Sequence, residues 1–239
     1  MSGSRGQSHV VGVALLMGVT VLALGALTAG VGGLVSEHAA AADATRVAEE
    51  LGAALDPVET TGRDSGRVHF SDGRLETVER QVRVLDSGGV RHRIDAGGLV
   101  FTAGDRRVAY VADAIVRGTG EGAWLHEPPP LTAPVGGEVL IVSVARLNAS
   151  HAAVAGRDVS VTLQSTVTHE RIRLGNGTFR VAVETATPAA LGRWFRTRNA
   201  TTSRRDFDGD DVPSIVARIR RNRTGYLVVH DVALEVGHG

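Results

Sequence analysis

The N-terminal part of the chain contains a long stretch without a single charged side chain. Residues 10–35 read VVGVALLMGVTVLALGALTAGVGGLV. As a helix this stretch would measure about 39 Å at 1.5 Å per residue, and about 20 apolar residues suffice to cross a bilayer core. The apolar core of a cleaved secretory signal is only about 7–15 residues long. The pattern predicts a retained membrane-spanning helix with the membrane as its partner; a buried helix of a globular protein is the alternative.

The charges that flank this stretch predict its orientation. Arg5 is the only charged residue before it, whereas Glu37 follows it directly and the next basic residue is Arg46. Because basic residues favour the cytoplasmic side of a membrane helix, residues 1–9 are expected inside the cell. The expected location is the cell membrane, crossed once, with the C-terminal domain outside.

Small residues recur at a spacing of four within the same stretch. Residues four apart lie on one face of a helix, and small side chains there let a second helix approach closely. Helix–helix packing is therefore one hypothesis, and a general abundance of glycine and alanine is the other. The pairs are Ala14 with Gly18, Gly25 with Ala29, Ala26 with Gly30, and Ala29 with Gly33.

The residues around the start of the apolar stretch resemble a known family. Residues 5–12, Arg-Gly-Gln-Ser-His-Val-Val-Gly, are similar to the beginning of archaeal type IV pilins and archaellin-like proteins, especially those of halophilic archaea. The resemblance implies a class III signal peptide, cut by a prepilin peptidase after a glycine on the cytoplasmic side. Carried over, the cut falls between Gly6 and Gln7. Glycine suits such a site because it gives the protease an extended backbone without a side chain.

The resemblance also implies a division of the chain. Residues 1–6 would be the cleavable leader and residues 7–35 the transmembrane and assembly helix, through which other pilin subunits could bind. Many family members carry a glutamate just after the cut, thought to pair with the N-terminus of a neighbouring subunit. Here His9 stands at the usual place of that glutamate. A minor pilin, or a pilin-like protein that stays in the membrane, therefore fits better than a major filament subunit.

The remainder of the chain predicts a β-rich external domain joined to the first helix. Residues 36–61 continue as a helix and linker, because they are rich in helix formers until Pro57. Residues 62–239 change to short alternating apolar runs separated by glycine turns. The expected fold class is α+β: a long N-terminal transmembrane helix, then a mainly antiparallel β domain with one short extra helix.

Local signals refine this expectation at three places. Asn176-Gly177 lies between two strand patterns and predicts a tight hairpin. Residues 118–134, with prolines at 128–130, are expected to form a loop. Thr187-Pro188 predicts the start of a short helix through about Arg198, with threonine as the N-cap and proline in the first turn.

All four asparagines of the chain lie in glycosylation sequons, downstream of the apolar stretch. A single sequon means little, but four with no asparagine outside one indicate exposure outside the cell. Asn148 and Asn199 are expected to be modified most readily because they lie in polar, loop-like sequence, whereas Asn176 also has its turn role. The four acceptors are Asn148, Asn176, Asn199 and Asn222.

An aspartate-rich stretch, Asp-Phe-Asp-Gly-Asp-Asp at residues 206–211, is the candidate metal site. Asp206, Asp208 and Asp210 alternate, and carboxylate oxygens are the ligands that Ca²⁺ prefers. The stretch departs from the EF-hand loop, because glycine occupies its fourth rather than sixth position and the twelfth is Ala217. A polar turn before a strand is the alternative.

Composition excludes several functions. The 26 basic and 26 acidic residues balance, so the chain lacks the basic excess of a nucleic-acid-binding protein. Cysteine is absent, and no metalloprotease or nucleophile-elbow motif is present, so neither catalysis nor any cofactor besides calcium is indicated. The favoured hypothesis is a pilin-like cell-surface protein. The alternative is an enzyme or ligand-binding module tethered to the outer face of the membrane by its N-terminal helix.

Overall fold

The structure of the chain is a computed structural model. It describes residues 5–55, 61–133, 137–149, 152–219 and 222–238. Side chains are described for all of these except residues 5–11, 29–32, 34 and 238.

The N-terminal helix is one continuous element, α1, from Arg5 to Leu55. The helix formers after Val35 were expected to extend it, and this expectation is confirmed, since the helix passes Val35 without interruption. Its predicted stop, Pro57, lies outside the described residues. At 1.5 Å per residue α1 is about 75 Å long.

Fourteen strands follow in the described part of the chain, interrupted by one 3₁₀ turn, Gly120–Gly122, and by one further α-helix, α2 (Pro188–Thr197). The strands are β1 (Gly62–Val78), β2 (Gln81–Asp86), β3 (Gly89–Asp95), β4 (Gly98–Ala103), β5 (Arg106–Val111), β6 (Ala114–Arg117), β7 (Trp124–Glu127), β8 (Leu131–Thr132), β9 (Val139–Ala149), β10 (Ala153–Gly177), β11 (Arg180–Glu184), β12 (Thr201–Arg205), β13 (Ser214–Arg218) and β14 (Arg223–His238).

The strands form two sheets. The larger has nine strands in the order β7-β6-β5-β4-β1-β10-β14-β9-β8, and the smaller has five in the order β12-β13-β11-β2-β3. Neighbouring strands are antiparallel except for β14 and β9, which run parallel from the pair Thr224–Val139 onward. The long strands β1, β10 and β14 lie side by side at the centre of the larger sheet, which therefore supplies the platform on which other elements pack.

The molecule is built in three layers, with the larger sheet in the middle. Alternate side chains of a strand point to opposite faces. In β14, Val232 and Leu234 face the end of α1, whereas Leu227 and Val229 face the smaller sheet. Each face of the larger sheet thus has its own apolar core, one with α1 and one with the smaller sheet and α2.

The predicted fold class is wrong. The fold is mainly β, with two sheets, and among the described residues no helix is both long and apolar enough to cross a membrane. The prediction rested on the length of the uncharged stretch alone. In the structure that stretch is instead the first part of a longer helix whose end packs on protein.

Of the three local predictions, two are wrong and one is confirmed. Residues 118–134 are not a loop throughout, because they contain the 3₁₀ turn and strands β7 and β8. Asn176-Gly177 is not a hairpin turn: both residues belong to the end of β10, where they pair with Thr224 and Arg223 of β14. The helix predicted at Thr187-Pro188 is confirmed as α2, with Thr187 at the N-cap position and Pro188 in the first turn, but the Thr187 side chain makes no capping hydrogen bond.

Candidate functional site

The first half of α1 stands clear of the sheets. Every described side chain from Gly12 to Thr28 is exposed, and the large apolar ones show more than half of their surface. The most exposed are Leu22 at 74% and Leu16 at 72%. Such apolar surface is unusual in water, since monomeric proteins rarely expose contiguous apolar patches larger than a few hundred Å². This half of α1, here called the projecting segment (residues 12–28), is the candidate site.

The projecting segment is apolar on every side. Leu15, Leu16 and Met17 are consecutive, so they point about 100° apart around the helix, and all three are exposed. Thr20 and Thr28 donate their hydroxyl hydrogens to the carbonyls of Leu16 and Leu24, both at 2.8 Å. The only polar side chains of the segment are thus satisfied within the helix. A helix that is apolar all round is normally buried on all sides.

The second half of α1 is seated on the larger sheet. Val47, Ala48 and Leu51 are fully buried and lie in one apolar cluster with Phe70 and Phe101. The two phenylalanine rings contact each other, with centroids 5.1 Å apart. This half of the helix is therefore part of the protein core and holds the projecting segment in a fixed direction.

A buried carboxylate locks the helix to strand β1. Asp43 is 1% exposed and accepts hydrogen bonds from the backbone N–H and the hydroxyl of Ser71, at 2.9 and 3.1 Å, and from the N–H of Asp72 at 3.3 Å. Arg46, one turn further along α1, lies 3.8 Å from the same carboxylate. The charge is thus compensated at the point where the helix meets the sheet.

Three further polar contacts lie at the same interface, between α1 and the larger sheet. The carboxylate of Glu50 accepts the backbone N–H of His69 at 2.6 Å. Arg117 of β6 donates to the hydroxyl of Thr45 at 2.6 Å, and Arg106 of β5 pairs with Glu37 at 3.2 Å. These contacts connect α1 to three different strands and so fix its rotation about its own axis.

Two glycines set how closely the helix approaches the sheet. A Cβ atom at Gly66 of β1 would clash with Ala54 and lie 2.7 Å from the Ala54 Cα. A Cβ atom at Gly52 would clash instead with the carboxylate of Glu127, which is the end of an exposed side chain. Only at Gly66, therefore, does the missing side chain permit backbone-to-backbone packing.

The predicted processing site lies at the start of α1. Gly6 and Gln7 belong to the helix by their backbone, whereas their side chains lie outside the described residues. The cut between them stays a prediction.

All four sequon asparagines have exposed side chains, and the pairing of β10 with β14 brings the sequons of Asn176 and Asn222 side by side. Asn148 is in strand β9, contrary to the expected loop, and its amide group donates to Asp231. Asn176 accepts a hydrogen bond from the Thr224 hydroxyl at 2.8 Å. Asn199 occupies the turn after α2 with a φ of 57°, and Asn222 precedes β14. Their modification stays a prediction.

The three candidate calcium ligands are each engaged differently. Asp206 accepts the N–H groups of Asp208 and Gly209, and these bonds hold the pKa of its carboxyl below the usual range. Asp210 accepts the N–H of Val212 at 3.1 Å, and Asp208 pairs with Arg83. Within the described ranges no three histidine or acidic side chains converge in a metal-binding arrangement. The polar-turn alternative therefore accounts for these contacts, and calcium binding stays a prediction.

Sequence reasoning missed the buried arginine that Asp208 meets. Val82 and Val84 of β2 face the core between the sheets, so Arg83 points to the outer face, yet its side chain is 0% exposed. It lies 3.5 Å from Glu184 and 4.7 Å from the ring centre of Phe207. Burial, followed by the charge of Asp210, raises the pKa of Glu184, although Arg83 opposes the shift. An arginine between two valines of a strand was the only sequence signal.

Beside Arg83 a cavity of about 590 Å³ opens between the two sheets. Its lining carries more carboxylates than guanidinium groups, and some of these charges pair with each other, as Arg93 does with Asp208 at 3.9 Å. The charged residues that line it include Arg80, Arg93, Asp95, Glu184, Asp208 and Asp210.

Fold and site together define a class: a two-sheet β protein seated on the end of a long N-terminal helix whose first half projects as bare apolar surface. The chain belongs to DUF7289, a family of unknown function, whose sequence model matches residues 5–235. The match includes α1 and nearly all of both sheets, so the helix and the β domain form one family unit. No curated protein and no solved structure gives a significant match to the chain.

Proposed function

We propose that this protein is a pilin-like component of the cell surface, suited to be a minor subunit of a type IV filament. The observation that carries the proposal is that the second half of α1 packs on the larger sheet whereas the first half projects away from it. Apolar surface on every side of the projecting segment requires a partner that surrounds it. In a filament, the same segment of neighbouring copies provides this partner.

The side chains of the projecting segment support other copies of the same helix as the occupant. The segment carries no charge, so it offers no complement to a charged partner. Ala14 and Gly18 lie one turn apart on one face, where small residues let two helix backbones approach closely. A Cβ atom added at Gly18 would meet nothing within 4 Å in its own chain, so this face is open to another molecule.

The residues before the projecting segment support processing of the precursor. Arg5-Gly6-Gln7 resembles the site at which prepilin peptidases cut, and removal of residues 1–6 would leave Gln7 as the new N-terminus. The projecting segment begins only a few residues later, so processing would leave it intact. In this proposal the peptidase is a transient partner, and neighbouring subunits are the lasting ones.

The exposed sequons support a location outside the cell. Asn199 suits modification because it lies in the turn after α2 with an exposed side chain. No carboxylate or nucleophile of the described site calls for catalysis, and we propose an assembly role and no enzymatic one.

Disulfide cross-linking of the full chain tests the assembly role. The chain has no cysteine, so a single introduced thiol reports one position. Leu22→Cys should form dimers under mild oxidation, whereas Arg157→Cys, at a side chain 85% exposed in the β domain, should not. Adding Gly18→Leu to Leu22→Cys should reduce the dimers several-fold, because the bulky residue separates the helices. Equal cross-linking at both positions, with no effect of Gly18→Leu, would contradict the proposal.

Mass spectrometry of the mature N-terminus tests the processing step. Wild-type protein from its native host should begin at Gln7, and Gly6→Val should retain the leader. Wild-type protein that begins only at Met1 or Ser2 would refute cleavage.

A further inference from the structure

A shallow depression on the surface lies between α2 and the edge strand β12. It has a volume of about 310 Å³, and three exposed arginines line it: Arg193 and Arg196 from α2, and Arg204 from β12. The hydroxyl-bearing residues Thr202 and Ser203 complete the polar wall. Arginine and hydroxyl groups are hydrogen-bond donors, so this surface is built to face an acceptor.

One carboxylate of the chain already lies in the depression. Arg204 donates to Oε1 of Glu121 at 2.5 Å, and Arg193 donates to the backbone carbonyl of Glu121 at 3.1 Å and to that of Ala123. The hydrogen bond and charge of Arg204, assisted by the charges of Arg193 and Arg196, hold the pKa of Glu121 below its usual range. A single negative charge thus lies among three positive ones, which leaves an excess of two.

We propose that this depression binds an oxyanion, a carboxylate or phosphate group of a ligand, in place of the Glu121 side chain. The planar guanidinium group donates in pairs to carboxylate and phosphate oxygens, which makes arginine the side chain best suited to such groups. Glu121 shows the chemistry that the depression accepts, since its own carboxylate is held there.

Glu121 is a displaceable occupant. Its side chain is 76% exposed and Arg204 is 51% exposed. An ion pair between exposed side chains is screened by water and stabilises only weakly, so an incoming anion that meets all three arginines can replace it. Arg196 meanwhile makes one hydrogen bond, 3.2 Å to the hydroxyl of Thr202, and keeps further donors available. The inference is independent of the proposed assembly role, because it concerns a different surface.

Calorimetric titration of the full chain at constant ionic strength tests the site. The probes are inorganic phosphate and galacturonate, which represent a free anion and a carboxylate carried by a sugar. Replacing Arg196 and Arg204 together by glutamine should weaken binding at least tenfold, which is the loss of about 1.4 kcal/mol. The change Arg157→Gln, at an exposed arginine of β10, is the matched control and should leave binding unchanged.

The sharpest variant is Glu121→Gln. Because it removes the internal competitor and keeps the side-chain size, binding should tighten about two- to fivefold. The probe that binds more tightly identifies the source of the oxyanion. Binding of neither probe, or binding that Arg196→Gln with Arg204→Gln leaves intact, would overturn the proposal, as would weaker binding by Glu121→Gln.

Discussion

The side chain of Arg83, fully buried on the outer face of β2, donates to the carboxylate of Asp208 from the turn between β12 and β13. These two residues are 125 positions apart in the chain. The turn covers the arginine, and Phe207 places its ring over the guanidinium group. The aspartate-rich turn that forms the candidate metal site therefore also covers a buried cation.

Asp208→Asn should lower the free energy of unfolding by about 1–2 kcal/mol, because it removes one of the two carboxylates beside buried Arg83, the other being Glu184. The loss of a fully buried partner would cost about 3–5 kcal/mol, but Asp208 is 30% exposed, so water screens part of the effect. Urea denaturation measures the change. Asp210→Asn is the control and should cost less than about 0.5 kcal/mol. Equal losses of unfolding free energy in both variants would show that the stabilisation comes from the turn itself and not from the ion pair with Arg83.

The polar-turn alternative predicts that calcium leaves the melting temperature of the protein unchanged, whereas a calcium site predicts a rise. The contacts of Asp208 with Arg83, and of Asp206 with the N–H groups of its own turn, favour the polar turn. Differential scanning calorimetry with added calcium and with a chelator is the measurement. A specific ion would raise stability by about 2.7 kcal/mol at a hundred times its dissociation constant. A clear calcium-dependent rise of the melting temperature that Asp208→Ala abolishes would support the metal site.

Asp43→Ala should destabilise the protein by about 1–2 kcal/mol. The substitution removes the acceptor of two N–H groups of β1, but Ser71 and Asp72 are themselves exposed, so water can replace part of the lost hydrogen bonding. Asp43→Asn should cost less, because the amide oxygen still accepts one of these bonds. Chemical denaturation gives both values, and protection of α1 amides from hydrogen exchange should fall in the alanine variant. Unchanged protection would mean that apolar packing alone holds the helix.

Gly66→Ala should destabilise by about 1–3 kcal/mol, because the new methyl group overlaps the backbone of Ala54. Gly52→Ala is its counterpart on the helix side. There the methyl group meets only the movable carboxylate of Glu127, and alanine favours the helix by about 1 kcal/mol over glycine. Gly52→Ala should therefore be neutral or stabilising in the same denaturation experiment. The opposite ranking would contradict the close approach of helix and sheet at Gly66.

Stability should fall as the pH rises beyond about 10, the usual tyrosine value. Burial raises the pKa of Tyr110 well above that value, and so do the charge of Asp113 and its hydrogen bond at 3.1 Å. The folded state keeps the phenol proton where the unfolded state loses it, so unfolding becomes easier by up to about 1.4 kcal/mol per pH unit. Tyr110→Phe should flatten this dependence in melts between pH 8 and 12. If stability depends on pH equally in Tyr110→Phe, another titrating group causes the dependence.

Signals along the sequence were sufficient to locate several helices and strands. The helix formers after Val35 predict that α1 continues, and Thr187-Pro188 predicts the start of α2, because capping and backbone preference act over a few residues. Alternating apolar residues likewise mark β2 and β9. These signals depend only on neighbours along the chain, and the structure agrees with them.

Which surfaces pack against each other became visible only in the folded structure. Asn176-Gly177 carries a strong hairpin signal, yet β10 continues through it because pairing with β14 satisfies its backbone. Arg83 is buried by a turn 125 residues away, and Asp43 is matched to Ser71 only once helix and sheet are packed. The uncharged stretch at residues 10–35 has the length of a membrane helix, but length does not reveal what surrounds a helix. Partner choice and burial depend on contacts between distant segments, and no local pattern encodes them.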